Sequence, residues 1–391
     1  MDKWEFETMA IRTQVEQSAQ KEHSVPLYLT SSFTFDNAEE GSRLFNREQE
    51  GNLYSRFSNP NTDEFIQKLC LLEGAEAGIA TASGMAAVYT SFSAFLKQGD
   101  HVIASKAIFG NTQYILSTLL PNMGIQVTMI DMHDYDGIIK AVQPNTKMLY
   151  LETPSNPTLQ LWDLRKVGDV CKLNKIIFSV DNCFATPYLQ QPISFGADLV
   201  IHSATKYIDG QGRVLGGAVL GSKELISPCY EFIRRTGAAL SPFNAWVLSK
   251  SLETLAVRMD RHAENALAVA NYLSANDLVE QVTYPFLDTH PQYEIARTQM
   301  KSGGGLVGCV LKGGLAEASS FLNALKLHSL TANLGDTRSI ATHPASTTHS
   351  KLTAAEQAAV DILPSYLRFS VGLENVKDII ADIEQALISI K

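Results

Sequence analysis

The chain has 391 residues, 32 lysines and arginines against 41 aspartates and glutamates, and a formal net charge of −9. That balance argues against a nucleic-acid partner, because binding a phosphate backbone calls for a basic face. With 45% hydrophobic and 19% charged residues there is apolar material for a large core and no compositional case for disorder.

The N-terminal segment carries Asp2, Glu5, Glu7, Arg12 and Glu16 and no apolar stretch of signal-peptide type, and no run of 18 apolar residues occurs anywhere. The expectation is a cytoplasmic protein without a membrane span. The five cysteines, Cys70, Cys171, Cys183, Cys229 and Cys309, are odd in number, widely spaced and free of C-x-x-C pairs, so they encode neither a disulfide framework nor a zinc site. Residues 1–58 read as an arm. Its polar run Tyr54 to Asn61 has neither a helical nor a strand period, which suits a segment that reaches over a neighbouring subunit.

From Gly78 to Leu220, short apolar β-rich runs alternate with helical stretches. The runs are Gly78–Thr81, His101–Ser105, Gln126–Asp131, Met148–Glu152, Ile176–Asp181, Leu199–His202 and Gly217–Leu220, the signature of an α/β, doubly wound, mostly parallel sheet. Ser241 to Leu273 has apolar residues at helical spacing, predicting one long helix or a kinked pair. Strand-like Leu306–Leu311 and Tyr366–Val371, followed by an amphipathic helix over Asn375–Ile390, predict a smaller C-terminal α+β domain. The expected division is 1–58 arm, 59–257 large domain and 258–391 C-terminal domain.

Two motifs attract attention and fail. Gly303 to Gly308 satisfies G-x-G-x-x-G, but these glycines precede a strand-like run instead of opening a helix, and no acidic residue closes a strand about 20 residues on. His343 and His349 are six apart around Pro344, a spacing that aligns no two ligands on a helix face, so no metal site is expected.

The informative run is Ala197 to Tyr207, a strand that feeds directly into Ser203, Thr205 and Lys206. Taken alone, Lys206 is an ordinary lysine at a strand exit, yet strand exits are where α/β sheets place ligands. Val180-Asp181-Asn182 puts a carboxylate at the end of a neighbouring strand. A buried anion that pairs with a pyridine nitrogen, beside a lysine able to form a Schiff base, is what pyridoxal 5'-phosphate (PLP) requires. Upstream, Ser83-Gly84-Met85 follows a strand and opens a helix: Ser83 suits the N-cap, and the amides of Gly84 and Met85 suit a phosphate.

With these runs in hand, the sequence resembles, over nearly its whole length, the Cys/Met-metabolism (trans-sulfuration) family of PLP enzymes, which has the aminotransferase-like type I fold. The matching runs are Tyr54-Ser55-Arg56, Asn59-Pro60-Asn61, Ser83-Gly84-Met85, Glu152 to Pro157, Val180 to Asn182, Ser203 to Tyr207, His343 to Ser346 and Leu367 to Glu374. Within that family, His202–Gly221 and Leu330–Thr337 look most like the O-succinylhomoserine sulfhydrylase branch. The resemblance implies that Lys206 binds PLP and shuttles protons, that Asp181 pairs with the ring nitrogen, and that Ser83, Gly84, Met85, Ser203 and Thr205 take the phosphate. It implies that Tyr54 and Arg56 reach the phosphate of a neighbouring subunit, so that a homodimer is the minimal active unit and a homotetramer the expected assembly. It further implies that Arg368, helped by Asn156 and Ser339, grips the α-carboxylate of a small amino-acid substrate.

Phe109 stands where many members have a tyrosine that stacks on the cofactor and exchanges a proton, and Asn111 stands where methionine γ-lyases usually have a cysteine. Phenylalanine stacks without exchanging protons. The expected activity is therefore γ-replacement on O-succinylhomoserine or O-acetylhomoserine with sulfide, giving homocysteine, a transferase step of methionine biosynthesis. The alternative is a cystathionine γ-synthase or a methionine or cystathionine γ-lyase.

Overall fold

A computed structural model describes residues 4–350, 353–358 and 360–390. Seven strands form the large sheet: β1 (Ala77–Thr81), β2 (His101–Ser105), β3 (Gln126–Ile130), β4 (Thr146–Glu152), β5 (Ile177–Asp181), β6 (Leu199–Ser203) and β7 (Gly217–Gly221). Their order is β1-β7-β6-β5-β4-β2-β3. The run from β3 to β6 is parallel, whereas β7 lies antiparallel to both β6 and β1. The sheet is buried on both faces, which is why β2 and β7 read as unbroken apolar runs.

One face, with Leu149, Phe178, Val180 and Val200, packs against Phe65 and Leu69 of the helix Pro60–Glu73. The other, with Val102, Met148, Leu199, Ile201 and Val219, packs against Ala87, Val88 and Phe92 of the helix Gly84–Ser93. The predicted strands are present within two residues at each end.

The arm differs from its reading. It holds two helices, α1 (Phe6–Arg12) and α2 (Ala38–Asn46), the second capped by Asn37, whose side chain accepts from the Glu40 amide. The first is only seven residues long, and its Phe6 packs on Tyr188 with ring centroids 5.0 Å apart. Asn59 and Asn61 tie the arm down. Asn59 caps α3 (Pro60–Glu73), whose first residue is the proline that helix starts favour, while Asn61 accepts from the Tyr28 amide at 2.8 Å.

Ser241–Leu273 forms the kinked pair, Pro242–Leu252 and Leu255–Ser274. The second helix leads to a five-stranded sheet of β8 (Val279–Thr283), β9 (Leu306–Leu311), β10 (Ser329–Leu330), β11 (Ile340–Thr342) and β12 (Tyr366–Ser370), in the order β10-β11-β12-β9-β8. Its core, with Val307, Cys309, Leu367 and Phe369, is closed by Ile379 and Ile383 of the final helix Val376–Ile388. The glycines of the G-x-G-x-x-G run lead into β9 and open no helix. Among the described residues no helix is long and apolar enough to cross a membrane, and no three His, Cys, Asp or Glu side chains cluster to hold a metal.

Candidate active site

Three adjacent parallel strands end in polar residues that line one cavity of about 270 Å³: Glu152 on β4, Asp181 on β5 and Ser203 on β6. Glu152 and Asp181 are register partners, so two carboxylates share the cavity floor. Burial, and then the charge of Asp181, push the Glu152 carboxyl well above its ordinary range. Burial also raises Asp181, to about 6. Two adjacent carboxylates cannot both ionise cheaply, so Glu152 holds the proton and Asp181 carries the charge. Asp181 accepts from the Cys183 amide at 2.9 Å and from the Tyr150 hydroxyl at 3.4 Å, and among the described residues no cationic side chain forms an ion pair with it.

Opposite this floor, α4 (Gly84–Ser93) begins at Ser83, whose hydroxyl accepts from the Ala86 amide at 3.1 Å. The amides of Gly84 and Met85 precede the first intrahelical bonds and are left for an anion. A Cβ on Gly84 would lie 2.5 Å from the Cβ of Ser203, so only glycine lets this helix start rest on the end of β6. Thr205, on the same rim, both donates to the Gly216 carbonyl at 3.3 Å and accepts from the Gly216 amide at 3.1 Å.

Lys206 stands between these two ends. Its Nζ donates to Asn333 Oδ1 at 2.8 Å, and burial, reinforced by the Arg368 charge, draws its pKa below the lysine norm. The turn that carries it is fastened by Arg258, which donates to the carbonyls of Tyr207 at 2.6 Å and Ile208 at 3.1 Å. Gly335 closes over the same turn at a φ of +75°, where a Cβ would lie 2.6 Å from the Tyr207 nitrogen. That close approach is what brings Asn333, two residues earlier, within reach of Lys206.

Arg368 on β12 is fully buried and donates through Nη1 to Asn156 Oδ1 at 2.8 Å, while its Nε and Nη2 have no partner. A buried guanidinium edge with free donors is built for a carboxylate. Phe109, preceding α5 (Gly110–Tyr114), lines the wall with Asn111, and its amide donates to Glu152 Oε1 at 2.9 Å.

Ser339 is buried and does not line the cavity: its hydroxyl donates to Glu374 at 2.9 Å and accepts from the Gly372 amide at 2.9 Å, and its own amide donates to Glu374 at 2.7 Å. Asn333, Glu152, Tyr150 and Cys183 went unassigned in the sequence reading, although Glu152 and Asn333 stand inside matching runs quoted there. Tyr54 and Arg56 lie outside this cavity in their own chain. Arg56 donates to the Arg234 carbonyl and stacks over the Phe57 ring, 4.8 Å from its centroid.

An unpaired buried carboxylate at one end, a helix start with hydroxyls at the other and a lysine between them match the ring nitrogen, phosphate and aldehyde of PLP. The unpaired edge of Arg368 suits the carboxylate of an amino acid. The fold and site thus define a PLP-dependent enzyme of the aminotransferase-like type. The profile of the Cys/Met metabolism PLP-dependent enzymes matches residues 7–388, and the chain belongs to that family. It is 42% identical over 382 residues to an O-succinylhomoserine sulfhydrylase of Pseudomonas aeruginosa, covering 98% of this chain and 95% of that one. It is 44% identical over 368 residues to an L-methionine gamma-lyase of Fusobacterium nucleatum subsp. polymorphum, covering 93% of each. A solved structure from Campylobacter jejuni, assigned as an O-acetylhomoserine (thiol)-lyase and bearing a pyridoxyl-lysine phosphate, superposes with a TM-score of 0.95 at 35% identity, covering 99% of this chain and 100% of that one.

Proposed function

We propose that the chain catalyses γ-replacement: an O-acylated homoserine, the succinyl or acetyl ester, exchanges its acyloxy group for sulfide and becomes homocysteine. One observation carries this reading. Among the described residues, none that this chain itself contributes to the cavity wall is a tyrosine or a histidine, and Phe109 forms the wall where a proton-exchanging ring would otherwise act. A carboxylate leaving group departs without an acid, whereas a thiolate of higher basicity gains from one.

Bound PLP supplies an electron sink for carbanions formed next to the substrate nitrogen. The chain does the rest. Arg368 and Asn156 hold the substrate carboxylate and so fix which bond at Cα faces Lys206. The lowered pKa of Lys206 leaves more free amine near neutral pH to take the Cα proton, and Asn333 fixes where Nζ points between transfers. Asp181 provides the negative charge for the ring nitrogen, and the start of α4 with Ser203 and Thr205 holds the phosphate. The acyloxy oxygen leaves with the bonding pair as succinate or acetate, and the sulfide sulfur takes its place on Cγ.

The active unit in this reading is a homodimer within a homotetramer, with Tyr54 and Arg56 reaching the neighbour's phosphate. The five unpaired cysteines suit a reducing cytoplasm. Gamma-elimination from methionine is the second reading, favoured by relatives that divide between the two activities. Steady-state rates with both esters plus sulfide, with cysteine in place of sulfide, and with methionine alone separate them. Methionine cleavage faster than either sulfhydrylation overturns the first reading.

A further inference from the structure

The glycine run 303–308 leads into β9 and lines no part of the cavity. A Cβ on any of its three spaced glycines would meet a phenol: that of Tyr284 at Gly303, of Tyr207 at Gly305 and of Tyr366 at Gly308. The last of these lies beside the substrate grip. Side chains alternate along a strand, so Leu367 and Phe369, which pack into the core of the five-stranded sheet, put Tyr366 and Arg368 together on the opposite face. Gly308 on β9 is the register partner of Arg368 and brings no side chain to that face. The Tyr366 ring fills the space, its Cζ 3.0 Å from where a Gly308 Cβ would stand. From there the Tyr366 hydroxyl donates to the Pro157 carbonyl at 2.8 Å, while Arg368 Nη1 donates at 2.8 Å to Oδ1 of Asn156, the residue before. Two side chains from one face of β12 thus clasp two consecutive residues of the loop after β4, and all four residues are buried.

We propose that Tyr366 is a positioning residue for the substrate carboxylate: its hydroxyl, seated over bare Gly308, holds the loop after β4 so that Asn156 occupies one corner of the Arg368 guanidinium and leaves Nε and Nη2 for the ligand. The inference rests on the reading of this cavity as an amino-acid site and names what sets its carboxylate end, whichever γ-reaction follows. A guanidinium recognises a carboxylate through two parallel N–H bonds, so its plane must be held, and it is held only as well as the partner that fixes it. Asn156 stands on a loop, the part of a fold with most freedom to move. The Tyr366 hydroxyl ties that loop to the strand that carries Arg368, so loop and guanidinium share one frame. A phenylalanine would fill the same volume; the oxygen is what reaches the loop.

The test uses the holoenzyme and two probes without a γ leaving group, L-norleucine and its amide, which lacks the carboxylate, with binding read from the absorbance of bound PLP. Tyr366→Phe should weaken L-norleucine about tenfold and leave the amide within about twofold, because only the carboxylate contacts are loosened. In the reaction that wild type performs, KM for the amino acid should rise by a similar factor while kcat changes little, the mark of lost uniform binding. Gly308→Ala, which pushes the phenol off its seat, should show the same selectivity, and joining the two substitutions should add little to either alone, since both act through one hydrogen bond. A lowered melting temperature with both probes unaffected assigns Tyr366 to packing and overturns the proposal, as does equal weakening of acid and amide. If Gly308→Ala does not fold, Tyr366→Phe, which removes a single oxygen, decides the matter alone. Wild-type protein that binds acid and amide alike would instead overturn the carboxylate reading of Arg368, whatever the variants show.

Discussion

Replacing Asp181 with asparagine should stabilise the protein without its cofactor. Burial raises this carboxyl from 3.8 to about 6 in the folded chain. An acid whose pKa is higher folded than unfolded binds its proton more tightly in the native state, so folding takes up a proton between those two values. Above pH 6 the folded protein bears the cost of an ionised buried carboxylate, and below about pH 4 it bears none. Roughly two pH units at about 1.4 kcal/mol each give a cost near 3 kcal/mol, reduced by water that enters the cavity and by the proton shared with Glu152. Asparagine keeps an oxygen for the Cys183 amide. Urea unfolding of the apoprotein at pH 8 should therefore show Asp181→Asn more stable by about 1–3 kcal/mol, with the gain gone at pH 4. PLP should reverse the order: at a hundredfold excess over its dissociation constant it adds about 2.7 kcal/mol to wild type. The variant, lacking the anion, should gain much less. An apo variant that is less stable at pH 8, or equally stabilised at both pH values, refutes the claim that Asp181 is held ionised at a cost.

Lys206→Ala should keep PLP through the phosphate cup yet lose turnover, and borohydride should label wild type on Lys206 alone, as peptide mapping will show. Arg368→Lys should raise KM for the amino-acid substrate by roughly 10- to 100-fold, because a point charge cannot reproduce a two-pronged grip, while the absorbance of bound PLP changes little. Phe109→Tyr should leave sulfhydrylation within about tenfold and raise γ-elimination from methionine, since a phenol helps only where a proton must move. An equal loss of both activities in steady-state assays would contradict that division. Mixing Arg56→Ala with Lys206→Ala protein should restore part of the activity through hybrid dimers, and subunit exchange without recovery would show that sites are not shared.

The strands were legible because a sheet covered on both faces demands continuous apolar runs, and Met148–Glu152 and Leu199–His202 are such runs at strand length, alternating with helical stretches. Lys206, Asp181 and Ser83 were legible for a related reason: strand exits and helix starts are marked locally. Asn333 was not, because its contact with Lys206 spans 127 positions and depends on Gly335 packing over the turn. Ser339 was named only through the family resemblance, and its hydrogen bond to Glu374 could not be seen in the sequence, because a hydroxyl has no visible direction there. Glu152 was quoted within a motif, yet its raised pKa comes from burial and then from its register with Asp181, which only pairing of β4 with β5 creates. Of the arm helices, α1 is short and leans on the distant Tyr188 through Phe6, a contact no local pattern announces, whereas α2 has a capped start, Asn37 with Glu40, that the sequence reading passed over.

The placement of β7 sets a timetable for the ribosome. β1 ends at Thr81, and its sole neighbour in the sheet, β7, begins at Gly217, 136 residues later. At about 5–20 residues per second of synthesis, β1 waits roughly 7–27 s for its partner. Meanwhile β2 to β6 can pair in parallel from the opposite edge inward, leaving β6 with one bare side. The arrival of β7 fills that gap and in the same step brings the start of α4, which hangs from β1, against Ser203 at the end of β6. Nascent chains arrested before Gly217 has cleared the exit tunnel should therefore be blind to PLP, and those arrested after β7 has emerged should be the first able to form the phosphate cup.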